Sequence, residues 1–136
     1  MVIKKVGLGT AAKRAVGTGA NQIPDMSAWV SGGNLQAGWR ITPDGYIEQW
    51  GLTPLTTENT HVNFPVPFPN GIHALHEKDN TGDILTPPVR MSIWQFGNRS
   101  STGFDVINMG SISREVSSTT IGSPVRAGCN WFARGK

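Results

Sequence analysis

The chain has 136 residues, a formal net charge of +3 and 15% charged residues. This length allows one domain with one modest core, since a monomer of such a size buries only about two-thirds of its unfolded surface. Low charge together with five Trp and five Phe excludes ordinary disorder, which accompanies high net charge and few aromatics. The 17 Gly and 9 Pro disfavour long helices and predict an all-β protein of strands joined by turns.

The basic residues are concentrated at the start of the chain. Lys4, Lys5, Lys13 and Arg14 have no acidic neighbour there, and the remainder is close to neutral. A nucleic-acid-binding surface needs a basic face over the folded part, so no nucleic-acid partner is expected. No apolar run approaches the roughly 20 residues of a membrane helix, and the start lacks the apolar segment of a signal peptide. We therefore expect neither membrane insertion nor export by the usual signal route.

The first residues differ in composition from the rest. Residues 1–20 contain no aromatic side chain, and VGLGTA at 6–11 is echoed by VGTGA at 16–20. Short Gly-rich repeats of this kind are found in fibrous shafts. Because such a segment cannot bury a core alone, residues 1–28 are predicted to be a shaft remnant. The segment is either a flexible linker or a stretch ordered by wrapping around identical neighbours.

Strand signals begin at Trp29. The turn sequence TPDG at 42–45 places Pro where φ is preset and Gly where a positive φ is needed, so 39–41 and 46–50 are predicted to form a hairpin. Large side chains fall on both faces of 46–50, which predicts a strand packed on both sides, with one side at a subunit contact.

A proline-rich stretch follows the next predicted strand, 61–64. In FPVPFP at 64–69 apolar residues alternate with proline, which cannot donate to a ladder. This run is predicted to lie at a sheet edge or in polyproline geometry, with Phe64, Val66 and Phe68 pointing inward.

The remaining segments alternate between strands and loops. Strands are predicted at 72–76, 91–96, 104–108 and 130–134. The polar stretches between them are predicted to be a turn at 70–71, an exposed loop tip at 77–83, a hairpin turn at 97–103 and a long irregular loop at 111–123. The single cysteine, Cys129, excludes an intrachain disulfide and is expected to be small buried filler from a reducing compartment.

Residues for catalysis or metal binding are not arranged in a recognisable pattern. His73 and His76 would point to opposite sides of a strand, so no metal site is predicted. The acids lie mostly in turns, and only Glu48 and Asp105 fall inside predicted strands, with Asp105 directed outward. No nucleophile elbow or phosphate-binding loop is present. We therefore expect a protein without a cofactor that is not an enzyme.

The remaining side chains suit adhesion to a sugar. A sugar ring presents an apolar face and a girdle of hydroxyls, which calls for aromatic planes beside polar side chains on loops held by a sheet. Candidate ligand-binding residues that meet this description are Asp79, Asn80, Trp94, Gln95, Asn98 and Arg99. Trp94 also has a simpler interpretation as a core residue, and the loop residues have one as plain surface.

Five passages carry a resemblance to a known family. They are GLGTAAKR with VGTGANQIPDMSAW within 7–29, GWR with GYIEQWG within 38–51, VNFPVPFP at 62–69, TGFDV at 102–106 and WFARGK at 131–136. In this order they resemble the shaft-to-tip region of tail-fibre proteins from contractile-tailed phages and prophages. Two departures are Arg134, where the family usually has an apolar residue, and 73–90, which does not align. Because the family's glycan contacts differ among its members, no binding residue is carried over.

This resemblance implies a homotrimeric tip that binds lipopolysaccharide or another bacterial surface glycan. We accordingly expect a small antiparallel β-sandwich at 29–136, preceded by an extended N-terminal shaft segment at 1–28. The expected location is the tip of a virion tail fibre, made in the host cytoplasm and joined to the rest of the shaft. Trimerisation would order the Gly-rich segment and cover sheet edges, and it would add avidity. Two alternatives are a glycan-modifying depolymerase or deacetylase, and a purely structural fibre cap.

Overall fold

A computed structural model describes residues 7–80 and 88–136. Within these residues the chain forms strands, two 3₁₀ turns at Ala11–Lys13 and Met26–Ala28, and no α-helix. The strands are β1 Val30–Gly33, β2 Ala37–Ile41, β3 Ile47–Leu52, β4 Thr60–Asn63, β5 Ile72–Asp79, β6 Val89–Gly97, β7 Gly103–Arg114, β8 Thr119–Gly122 and β9 Cys129–Gly135.

The strands form two antiparallel sheets. The five-stranded sheet has the order β1-β2-β3-β9-β5, and the four-stranded sheet has the order β4-β7-β6 with β8 also paired to β7. Every strand pair in both sheets is antiparallel. The all-β, antiparallel prediction is therefore confirmed. Within the described residues β5 is an edge of the first sheet and β6 an edge of the second.

The core lies between the two sheets and is mainly aromatic. Phe104 of β7 is fully buried, and its ring centre lies 5.6 Å from that of Trp131 on β9. Phe64 is 5.5 Å and Phe96 is 4.8 Å from the same Phe104 ring. These spacings are typical of favourable tilted and edge-to-face aromatic pairs. The cluster joins the sheets because its rings come from both of them.

The predicted hairpin at 42–45 is confirmed. The Thr42 amide donates to the Tyr46 carbonyl over 2.9 Å, and the Gly45 amide donates to the Thr42 carbonyl over 2.8 Å. Gly45 has φ +84°, which a residue with a Cβ adopts only with strain. In β3 the side chains of Ile47 and Gln49 are buried, whereas the alternating residues are half-buried.

Tryptophan rings cover glycines on neighbouring strands in three places. The pairs are Gly32 with Trp39, Gly38 with Trp50 and Gly51 with Trp131, all in the five-stranded sheet. A Cβ placed on any of these glycines would lie 2.5 to 2.9 Å from an atom of the partner ring. The glycines are therefore needed for space, and each ring covers backbone that a strand glycine leaves bare.

The proline-rich stretch lies across the core, as predicted for its apolar residues. Phe64 and Phe68 are buried, and Val66 is half-buried. Val66 lies between two prolines, and the fully buried Gln49 provides the hydrogen-bond partner for its amide. The Val66 amide donates to Gln49 Oε1 over 2.9 Å, and Gln49 Nε2 donates to the Val66 carbonyl over 2.7 Å. The Gln49 side chain thus takes the place of a neighbouring strand for the proline-rich segment, which cannot form a β-ladder.

Two loop predictions are wrong in part. Residues 77–79, predicted to belong to a loop tip, continue β5, and they pair with β9 from Trp131 to Cys129. The rest of that predicted loop includes 81–83, which lie outside the described residues. The predicted irregular loop at 111–123 contains the end of β7 and all of β8, which pair from Ser111 with Gly122 to Arg114 with Thr119. At 77–79 pairing with the distant strand β9 overrides weak local β-propensity, whereas 111–123 contains a local hairpin of β7 and β8 whose Thr and Ile residues favour strand.

Residues 7–29 contribute nothing to the core of this chain. None of them is buried. Local hydrogen bonds shape this segment: the Ile23 amide donates to the Ala15 carbonyl over 2.9 Å, and the Gly19 amide donates to Gln22 Oε1 over 2.7 Å. Residues 15–23 thus fold back on themselves, and the shaft role of 1–28 stays a prediction.

Cys129 is expected to be inert towards thiol reagents in the folded protein. Burial raises the pKa of its thiol to about 12, although a hydrogen bond from Thr53 partly opposes the shift. The reactive thiolate is therefore scarce at pH 8. With a disulfide reagent that releases a coloured thiolate, we expect no release from the native chain at pH 8. After unfolding in guanidinium we expect one equivalent of the thiolate per chain. Rapid labelling of the native chain would contradict the buried position.

Candidate functional site: a groove between two edge strands

A groove runs along the side of the molecule where the edge strands β5 and β6 approach each other. Two cavities make up this groove, one of about 240 Å³ and one of about 380 Å³. Glu77 of β5 and Trp94 of β6 line both cavities, so the two lie next to each other along the strands. We call them the Arg99 end and the Asp79 end. The larger falls within the range of about 300–1,000 Å³ that is usual for ligand pockets.

The Arg99 end brings together three of the predicted residues. Trp94, Gln95 and Arg99 line it, with Leu75, Glu77 and Phe96 completing the wall. Gln95 is exposed, and its Nε2 donates to the Phe96 carbonyl over 3.1 Å, which leaves the amide oxygen able to accept. The exposed Arg99 guanidinium also borders a neighbouring cavity of about 270 Å³ next to Ile72. Charged, amide and aromatic groups therefore converge at this end.

Trp94 is both a core residue and part of the groove wall. Its side chain is 8% exposed and belongs to the buried cluster, as its simpler interpretation predicted. Its indole Nε1–H reaches the groove and donates to Asp79 Oδ1 over 2.8 Å. This bond joins β6 to the end of β5 and fixes the carboxylate of Asp79.

The Asp79 end contains two polar atoms without a hydrogen-bond partner. Asp79 Oδ2 and Ser92 Oγ are both buried and unpaired within the described residues, and both side chains line the 380 Å³ cavity. Ser92 is 2% exposed. Buried polar atoms usually have a hydrogen-bond partner, so two buried atoms without one in the same cavity call for an explanation. Ser92 and Glu77 were not predicted as site residues.

Two predicted residues do not line this groove in the structure. Asn80 Oδ1 accepts from Asn130 Nδ2 over 3.4 Å, a contact with the neighbouring strand β9. Asn98 has φ +46° in the turn after β6, and its Nδ2 donates to Asp105 Oδ2 over 2.7 Å. Asn98 lines a separate cavity of about 130 Å³ that includes Gln95 and Asp105. Thus Asp79, Trp94, Gln95 and Arg99 share one groove, whereas Asn80 and Asn98 hold adjacent loops in place.

Asp105 links two neighbouring segments through its carboxylate. Hydrogen bonds from Asn98 and from His61, whose Nδ1 lies 2.7 Å from Asp105 Oδ1, hold the pKa of Asp105 below its ordinary value of 3.8. A carboxyl with a depressed pKa stabilises the fold above its unfolded pKa, and this contribution is lost as pH falls through the folded value.

We therefore expect the melting temperature to fall as pH is lowered from about 4. It should fall less in Asp105→Asn, because the asparagine has no charge that protonation could remove. Asn98→Gly removes the amide donor while keeping a residue that accepts positive φ. Its melting temperature should therefore fall by an amount between those of the parent chain and Asp105→Asn. Differential scanning calorimetry at several pH values below 5 measures this. Equal slopes for the parent chain and Asp105→Asn would contradict the role given to Asp105.

Neither a metal cluster nor a membrane helix is found in the described parts of the chain. Residues 7–80 and 88–136 contain no group of three or more His, Cys, Asp or Glu side chains placed to hold a metal ion. Among the same residues no helix is long and apolar enough to cross a membrane.

Comparisons with known proteins agree with this fold. Among solved structures the chain is similar to an N-truncated R2-type pyocin tail fiber (22% identity, TM-score 0.53), to the C-terminal part of the P. aeruginosa R2 pyocin fiber (22%, 0.54) and to that of the P. aeruginosa R1 pyocin fiber (17%, 0.52). Each match covers 79% of this chain but only 38%, 26% and 28% of the respective solved chains. At such identities the likeness shows a shared fold.

No curated protein sequence matches the chain. A family model does: residues 40–136 match the C-terminal family of gp53-like tail fiber proteins. The matched segment is more than half of the chain and includes both walls of the groove, and the resemblance noted in the sequence is thereby confirmed. The chain belongs to the gp53-like tail fiber protein family, as a C-terminal tail-fibre domain.

Proposed function

We propose that this domain is the receptor-binding tip of the fibre, and that it attaches a phage-like particle to a bacterial surface glycan through the β5–β6 groove. The observation that carries the proposal is the convergence of Trp94, Gln95 and Arg99 in an open groove on rigid strands. Hydrogen-bonding side chains beside an aromatic wall suit the hydroxyls and apolar face of a sugar. Lipopolysaccharide is the class of glycan we favour.

Attachment through three copies is part of the proposal. Large apolar side chains lie exposed on the outer face of the four-stranded sheet, where Met109 is 59% and Ile121 is 78% exposed. Exposed apolar residues on neighbouring strands are typical of a protein–protein interface, and an identical subunit is the simplest partner for them in a fibre. A homotrimer would also give the fibre avidity, because three weak sugar contacts act together. Sedimentation velocity at micromolar concentration should show three chains, and a stable single-chain species would contradict this part.

An adsorption assay tests the attachment itself. Fluorescently labelled chain should bind bacterial cells of a susceptible strain, and polysaccharide extracted from that strain should compete. The double variant Gln95→Ala with Arg99→Ala should bind at least about tenfold more weakly, since it loses charged and amide hydrogen bonds. Gln36→Ala with Arg114→Ala makes the same change at exposed positions outside the groove and should bind like the parent. If neither pair affects binding, the groove is not the attachment site.

We further propose that the tip does not cut or modify the glycan. Glu77 and Asp79 do line one cavity, which is the arrangement closest to a pair of catalytic acids in the groove. However, Asp79 already accepts a hydrogen bond from the Trp94 indole, and both acids lie on the same strand and not on opposite sides of the cavity. Incubation with the extracted polysaccharide should produce neither chain shortening nor released acetate. Either product would favour a depolymerase or deacetylase instead.

A structural cap is the remaining alternative. It predicts that the chain assembles into the proposed trimer but does not bind cells, even the cells of strains that the phage-like particle infects. The adsorption assay therefore separates the cap from the receptor-binding tip.

A further inference from the structure

The Asp79 end of the groove has a chemistry different from that of the Arg99 end. Asp79 Oδ2 can only accept a hydrogen bond when ionised, and Ser92 Oγ can donate and accept. Both are unpaired within the described residues and line the same 380 Å³ cavity. Met91, Ile93 and Ile112 supply apolar wall beside them. A ligand that satisfies both atoms must bring an O–H or N–H that donates to Asp79 and a second group within reach of Ser92, and the hydroxyls of a sugar supply both.

The charges around the cavity limit the ligand further. Two carboxylates, those of Glu77 and Asp79, line it, together with the ammonium of Lys78. A carboxylate or phosphate on the ligand could not donate to Asp79 Oδ2, and it would approach two like charges. The unpaired atoms thus favour hydroxyl donors, and the cavity disfavours acidic sugars.

We infer that the Asp79 end is a subsite for one uncharged sugar residue with adjacent hydroxyls, and that it rejects sugars that carry a carboxylate. The inference rests on the proposed function, because it assigns one part of the proposed receptor groove. It goes further by stating which sugars that part accepts. The apolar face of the ring would lie on Ile93 and Ile112, with the hydroxyls directed at Asp79 and Ser92.

The indole proton of Trp94 is a local reporter for this subsite, because Trp94 Nε1 is bonded to Asp79 Oδ1. In nitrogen–proton correlation spectra of the full chain, its signal is identified by its loss in Trp94→Phe. Titration with methyl glycosides of glucose, galactose, mannose, rhamnose and N-acetylglucosamine should shift it for at least one sugar. The matched glucuronate and galacturonate differ from glucose and galactose by a carboxylate at C6, and they should bind at least about tenfold more weakly.

Two substitutions test the pair of atoms directly. Asp79→Asn replaces the accepting Oδ2 with a nitrogen that cannot accept, and Ser92→Ala removes the hydroxyl, so each should weaken binding of the effective methyl glycoside about tenfold or more. Neither should lower the melting temperature, since Asp79→Asn keeps the shape of the side chain and Ser92→Ala removes an unpaired buried hydroxyl. Asp25→Asn, at an exposed carboxylate before the far edge strand β1, is the control for charge and should behave like the parent.

Several results would overturn the inference. It fails if no methyl glycoside shifts the Trp94 signal, if the uronates bind equally well, or if both variants bind the sugar unchanged, in which case the cavity holds only water. Adsorption to cells measured on the same variants separates the two proposals. If the sugars do not bind but adsorption to cells is intact, the subsite proposal fails and the receptor-binding tip stands. If adsorption is lost as well, both proposals fail.

Discussion

Replacement of Phe104 by alanine is expected to lower the free energy of unfolding by about 3–5 kcal/mol, the usual cost of deleting a large buried aromatic side chain. Phe104 is fully buried, and its ring lies against Phe64, Phe96 and Trp131, which come from different parts of the chain. A small domain is stable by only about 5–15 kcal/mol, so this single change removes a large fraction of the total. Urea unfolding followed by tryptophan fluorescence measures it.

Phe132→Ala is the matched control, because it deletes the same side chain from the outer face of β9, where Phe132 is 39% exposed. We expect a loss of about 1 kcal/mol or less there. Phe104→Leu keeps most of the volume, so its smaller loss shows how much of the effect comes from the aromatic ring itself. Similar losses in Phe104→Ala and Phe132→Ala would show that the inter-sheet rings are not the centre of stability.

The parts of the fold that could be predicted are those with local causes. The hairpin at 42–45 depends on Pro43 and Gly45, whose backbone preferences act within four residues. The turn before β7 and the inward-facing Phe64 and Phe68 follow from similar short-range rules, namely turn residues and the absence of a proline amide. Each of these predictions required only neighbours in the sequence.

The two missed strand segments have different causes. The charged sequence Glu77-Lys78-Asp79 has weak β-propensity, yet it extends β5 because β9 offers a ladder from Trp131 to Cys129. All four residues of β8 are exposed, and β8 forms a local hairpin with the end of β7, which the serines on either side of it made look like a loop. For 77–79, no local pattern indicates that a partner strand will be available.

The candidate site also divides into residues that the local sequence could predict and residues that it could not. Trp94, Gln95 and Arg99 were predicted together because they are close in the sequence around one turn, and they do share the groove. Ser92 and Glu77 were missed because a serine and a glutamate on strands carry no signal until β5 and β6 are placed edge to edge. The one feature of the sequence that could have indicated Ser92 is its position two residues before Trp94 in a predicted strand, which places both side chains on the same face.

Gly51→Ala is expected to destabilise the protein by about 1–3 kcal/mol, the range found when a methyl group is forced into a packed core. A Cβ at Gly51 would lie 2.6 Å from Cζ2 of Trp131, and that ring is buried between the sheets with little room to move. Trp131 would have to leave its rotamer or push Phe64 and Phe104, its ring neighbours. The same urea experiment measures the loss.

Gly97→Ala makes the same change at the end of β6, where a Cβ would meet nothing within 4 Å. It should leave stability within about 0.5 kcal/mol of the parent, so the difference between the two variants isolates the contact with the ring. Trp131→Leu in the Gly51→Ala background should recover part of the loss relative to Trp131→Leu alone, because the smaller side chain leaves room for the methyl group. If Gly51→Ala were as stable as Gly97→Ala, the tryptophan rings would not be what excludes side chains from these strand positions.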